Sequence, residues 1–138
     1  MSEISKLEEL ENRVRVILGD PAGRIYSDGE IEEGMRQALA EYSLAKDEAV
    51  SIEGLDGVET TTLEQVHESL LMLGAAGFAV NARAVGQANA FNQDERLPAD
   101  LAAWGAKALQ EFRARVEEAV RLEGLRTADV PPWGKIVW

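Results

Sequence analysis

The longest apolar run in the chain, Leu70 to Val80, reads LLMLGAAGFAV, and it restricts the available folds more than any other stretch. It is too short to span a bilayer and leads straight into Asn81 and Arg83, so a buried helix accounts for it better than a membrane segment. Small residues crowd the same region: Gly74, Ala75, Ala76, Gly77, Ala79, Ala82, Ala84, Gly86, Ala88 and Ala90. An interior glycine weakens a helix by about 1 kcal/mol relative to alanine. Several together predict a central helix whose losses are offset by the close approach of another helix.

The remaining pattern supplies the partners. Ser5 and Glu8 form an S-x-x-E capping box, after which Leu7, Leu10, Val14, Ile17 and Leu18 recur at helical spacing up to Gly19. Ser27 and Glu30 repeat the box, and Ile31, Met35, Leu39 and Tyr42 mark one face of a second helix. Between Ala49 and Thr62 the period shortens. Val50 and Ile52 alternate with polar residues, Asp56-Gly57 is a turn signal, and Val58, Thr60 and Thr62 alternate again, as in a small β-hairpin or an irregular loop. Thr61 and Glu64 predict a third box opening the apolar helix, which runs through Leu71, Leu73 and Phe78 to about Ala90. A fourth helix is expected to start near Pro98 and to carry Leu101, Trp104, Ala108, Leu109, Phe112, Val116 and Val120, ending around Leu122 to Gly124. Pro131-Pro132 cannot continue it, and the tail LRTADVPPWGKIVW reads as an extended apolar arm. The expected architecture is all-α: a bundle of about four helices over residues 1–124 and an arm over 125–138.

A chain of 138 residues suits one domain with a real core. It has no cysteine, which excludes disulfides, thiolate chemistry and cysteine-ligated zinc. The start, MSEISKLEEL, lacks the basic and apolar segments of a signal peptide, so a cytoplasmic product is expected. The net charge of −11 has the wrong sign for a protein that grips phosphate backbones. The imbalance is concentrated at the front, with six basic and fifteen acidic residues in 1–60 against eight and ten in 61–138. A solvated surface explains this, and so does a field that repels DNA or other acidic surfaces.

Reaction chemistry finds little to work with. His67 is the single histidine, with Glu64, Glu68 and Leu71 at helical spacings, and is read as structural. Ser27, Ser43, Ser51 and Ser69 occupy no nucleophile-elbow context, and the acidic pairs Glu32-Glu33 and Glu117-Glu118 suit exposed helix faces. The stretch LGDPAGRIYSDGEI, Leu18 to Ile31, fails as a calcium loop because a start at Asp20 puts Ala22 and Arg24 at ligand positions. The chain contains no Gly-Lys-Ser or Gly-Lys-Thr for a phosphate loop either. The stretch is therefore expected as a corner. Gly19 ends the first helix, Asp20-Pro21 stops it, Ser27 caps the second, and Ile25 and Tyr26 tuck underneath. No catalytic residue, cofactor or metal is expected.

Four stretches in order, RVILGDP, YSDGEI, ALAEYS and LLMLGAAGFAVNARA, together resemble the head-to-tail connector (adaptor) proteins of tailed bacteriophages, over roughly Leu10 to Arg83. The resemblance implies a small helical virion protein without catalytic residues. Such proteins form a homo-oligomeric ring, commonly dodecameric, under the portal protein at the head–tail junction, and connect it to a head-closing or tail protein. DNA would pass through the lumen without sequence-specific binding, and an acidic wall would let it slide. The arm residues Val130, Pro131, Pro132, Trp133, Ile136, Val137 and Trp138 are the expected partner-binding segment, toward portal or a neighbouring subunit, or folded onto their own bundle. The loop residues Ile52, Leu55, Asp56 and Val58 form a secondary candidate contact. The alternative is a small helical interaction module or regulator that dimerises through the small-residue face of the third helix.

Overall fold

A computed structural model of the chain describes residues 4–88 and 96–127. Four helices pack together: α1 (Lys6–Ile17), α2 (Asp28–Lys46), α3 (Glu68–Ala88) and α4 (Arg96–Thr127). No strand occurs among the described residues, so the segment between α2 and α3 is the irregular loop rather than the hairpin.

The helix starts follow their caps. Ser5 Oγ accepts from the Glu8 N–H at 3.2 Å. At α2 the box is reciprocal: Ser27 Oγ accepts from Glu30 N–H at 3.1 Å, and Glu30 Oε1 accepts from Ser27 N–H at 2.9 Å. Gly19, at φ 71°, takes the left-handed position that ends α1.

The expected third box does not form. Thr61 Oγ1 accepts instead from Glu53 N–H at 2.9 Å, and the Glu64 carboxylate is drawn to Lys46 Nζ at 3.3 Å. With both members engaged elsewhere, the chain makes a single 3-10 turn at Gln65–His67, and α3 begins only at Glu68. α4 has Pro98 in its first turn, as expected, but runs further than expected at its other end. It starts at Arg96 and continues through Gly124 to Thr127, and Glu123 in its last turns pairs with Lys46 of α2 at 3.2 Å.

α3 is the centre, as its composition predicts. A Cβ on Gly74 would meet the Phe112 ring at 2.6–2.8 Å, and one on Gly77 would meet Leu109 at 3.0 Å. Gly105 of α4 faces Val80 in return, so α3 and α4 run antiparallel in close contact. On the other side Gly34 of α2 lies against the backbone of Ala75, where a Cβ would sit 2.5 Å from the carbonyl oxygen. α1 closes the core with Leu7, Leu10 and Val14 against Ile31, Met35, Tyr42, Leu71 and Ile52. Ile17 and Trp104, expected on the buried faces, are both about two-fifths exposed.

Candidate functional site

The corner between α1 and α2 is built around two buried charges. Asp20 accepts three backbone N–H bonds, from Arg24 (2.8 Å), Ile25 (3.0 Å) and Tyr26 (2.9 Å), which hold its carboxyl below the usual range. Arg15 donates to the Tyr26 carbonyl at 2.7 Å and to Asp28 at 2.6 Å, with Asp20 at 3.5 Å. Gly23 has φ 70° and packs on the Arg15 guanidinium, which a Cβ there would approach to 3.3 Å. Tyr26 tucks under the corner as expected, whereas Ile25 points outward and is 52% exposed. The Asp20 carboxylate and the Tyr26 carbonyl are occupied by the chain's own donors, which is the arrangement of a joint.

The loop candidate splits in two. Ile52 and Leu55 are buried in the chain's own core, so they offer nothing to a partner. The turn signal is correct: Asp56 and Gly57 both adopt left-handed φ (54° and 79°), and Val58 N–H closes the turn onto Leu55 O at 3.2 Å. The flanking segments are joined by backbone bonds, such as Gly54 N–H to Val58 O at 2.9 Å and Thr62 N–H to Ser51 O at 3.0 Å, and by hydroxyls. Ser51 N–H donates to Thr62 Oγ1 at 2.8 Å, and Ser51 Oγ donates to Thr60 O at 2.8 Å. The loop is also docked on α1, with Leu7 N–H donating to Glu53 O at 3.0 Å. Asp56 is exposed and engages Arg36 Nε with both oxygens at 2.9 and 3.0 Å, while Val58 is half-buried. Asp56 and Val58 are thus what remains of this contact. The arm candidates Val130, Pro131, Pro132, Trp133, Ile136, Val137 and Trp138 lie outside the described residues.

His67 sits in the 3-10 turn, not inside a helix, and its Nδ1 is hydrogen-bonded to the Tyr42 hydroxyl. The two rings pack edge to face at 5.5 Å. Burial pushes the Tyr42 phenol up, against the pull of nearby Lys46. Lys46 itself is almost fully buried, with Glu48 at 3.2 Å, Glu64 at 3.3 Å and Glu123 at 3.2 Å. Burial alone would lower its pKa, but the carboxylates outweigh it and hold the ammonium charged well above its ordinary value. The cluster ties α2, the turn and α4 together. Among the described residues no group of three or more His, Asp or Glu side chains could hold a metal ion.

Glu11 of α1 is an uncomfortably placed charge. It is buried beside the Glu32 carboxylate of α2, and its Oε1 has no partner. Burial, reinforced by the Glu32 and Asp28 carboxylates, pushes its pKa up to about 7.

Two apolar depressions flank the C-terminal half of α4. One, of about 310 Å³ between α2 and α4, is floored by Phe112, Val116 and Val120 and lined by the ion-paired Arg113 and Glu41, joined at 2.9 and 2.8 Å. The other, of about 570 Å³, lies between the His67 turn with the start of α3 and α4, and is lined by Val66, Leu70, Ala119 and Leu122. Sequence reasoning missed it. The available signal was Leu122, an apolar residue two positions off the Phe112–Val116–Val120 stripe and therefore on another face.

No helix among the described residues is long and apolar enough to cross a membrane. No protein-family model matches this chain, and neither a curated protein nor a solved structure is significantly similar to it.

Proposed function

We propose that this chain is a structural head-to-tail adaptor of a tailed bacteriophage. In this reading it forms a homo-oligomeric ring under the portal protein, links it to a head-closing or tail protein, and lets DNA pass through the lumen. The observation that carries the reading is the convergence of the four resembling stretches in one packed unit. The RVILGDP and YSDGEI segments build the Arg15–Asp20 corner that sets α1 against α2. The ALAEYS and LLMLGAAGFAVNARA segments lie in α2 and α3, which meet where Gly34 abuts Ala75. The net charge of −11 suits a wall past which DNA must slide without lasting phosphate contacts.

The alternative, a helical module that dimerises through the small-residue face of α3, has less surface available for that purpose. Gly74, Ala75 and Gly77 are covered by α4 and α2 of the same chain, so such a dimer would have to use another face. Light scattering coupled to size exclusion, with negative-stain images of the protein alone and mixed with portal, separates the two readings. Rings, or collars seated on portal, are expected. A monomer or dimer that ignores portal overturns the adaptor reading.

A further inference from the structure

The groove beside the His67 turn differs from its neighbour in being unbridged. Arg115 pairs along α4 with Glu111 at 2.7 Å, and Glu118 pairs along α4 with Arg121 at 2.7 Å, so neither rim charge reaches across. Its apolar edges are open, with Val66 76% and Leu122 46% exposed. Leu70 and Ala119 form a floor with room for a large ring.

We propose that this groove is the seat of the chain's own C-terminal segment, Val130 to Trp138, with Trp133 as the anchor between Leu70, Ala119 and Leu122. Reach is the first argument. The groove residues Arg115 to Leu122 lie five to twelve positions before Thr127, where α4 ends, which is about 8–18 Å along the axis. Six extended residues from Thr127 to Trp133 cover about 19 Å at about 3.1 Å each. The second argument is direction. Pro131-Pro132 disfavour a helical continuation ahead of Trp133, which suits a segment that turns back toward the groove. The third is matched chemistry, because a tryptophan removes about 150–250 Å² from water and the unbridged apolar groove lies within its reach. Tethering to the same helix gives the segment an effective concentration of about millimolar, which favours it over the segment of a second copy. None of this depends on the adaptor reading, and the inference stands or falls independently of any ring.

The absence of cysteine makes the test direct. The full chain carrying Glu118→Cys and Gly134→Cys is oxidised mildly at micromolar concentration and resolved on a non-reducing gel. A disulfide within the monomer is expected, and its rate falls when Leu122→Asp is added. In parallel, Trp104→Phe with Trp138→Phe leaves Trp133 as the sole tryptophan. Its emission is expected to be blue-shifted and shielded from acrylamide, and to move to the solvent-exposed position with Leu122→Asp while the helical circular dichroism persists. A link formed only between chains assigns the groove to a second copy and overturns the proposal. So do an absent link, or a Trp133 that is solvent-exposed with and without Leu122→Asp.

Discussion

Gly74 of α3 and the Phe112 ring of α4 are so closely apposed that a single added methyl would lie 2.6 Å from the ring. Gly74→Ala should therefore destabilise the protein by about 1–3 kcal/mol through overpacking, although alanine is the better helix former by about 1 kcal/mol. Gly124 of α4 has nothing within 4 Å, and Gly124→Ala should stabilise by about 0.5–1 kcal/mol. Urea unfolding of the two variants should shift the midpoint in opposite directions. A shared sign would mean that helix propensity, and not the α3–α4 approach, governs both positions.

Lys46→Met keeps the length of the side chain and removes the charge that Glu48, Glu64 and Glu123 surround. The carboxylates can turn partly toward water, so the loss should be about 1–3 kcal/mol and not the larger figure of a sealed pair. The near-UV circular dichroism of Tyr42, over whose ring the ammonium sits at 5.4 Å, should change as well. Equal stability of the variant would show that the cluster is incidental.

Glu11 sets a pH dependence of defined sign. Its pKa rises from 4.5 to about 7 on folding, so the folded chain binds this proton more tightly than the unfolded one. Stability should then fall as pH rises from about 4.5 to about 7 and level off above. Glu11→Gln, which is uncharged at every pH, should remove that slope. At pH 8 it should stabilise the protein by roughly 1–3 kcal/mol, at about 1.4 kcal/mol per unit of displacement. Denaturant titrations at pH 5 and pH 8 read the difference, and an unchanged slope would sink the assignment.

The corner predicts the opposite trend in acid. The Asp20 carboxyl is held below its ordinary range by the Tyr26, Ile25 and Arg24 amides, so its contribution is present above the unfolded pKa and disappears as pH falls through the folded one. Asp20→Ala should lower the thermal midpoint more than Ser27→Ala, whose lost cap is worth about 1 kcal/mol. Scanning calorimetry at pH 7 and pH 3 should show the gap between Asp20→Ala and the wild type narrowing in acid.

Local signals carried the architecture a long way. The caps at Ser5 and Ser27, the left-handed Gly19 and the glycines of α3 each depend on near neighbours or on a close approach that composition itself demands. Partners distant in sequence decided the rest. Thr61 and Glu64 present a capping pattern, but Glu53 and Lys46 take both side chains, and no local reading foresees that competition. Lys46 looks like an ordinary helix-end lysine until Glu123, far along the chain, closes on it. Ile52 and Leu55 alternate with polar neighbours as surface-loop residues do, yet docking of the loop on α1 buries them. Arg15 was invisible because its acceptors converge only once the corner has turned.

The loop that follows α2 has one more consequence, for association. An alternating segment such as Val50 to Thr62 usually risks exposing a row of free amides that a second chain can extend into a shared sheet. Here the amides of Ser51 and Glu53 are spent on threonine hydroxyls, and the turn is sealed between Leu55 and Val58. Those amides are therefore unavailable to a second chain, and strand addition along the Ser51–Glu53 edge should be disfavoured even where many copies are crowded together.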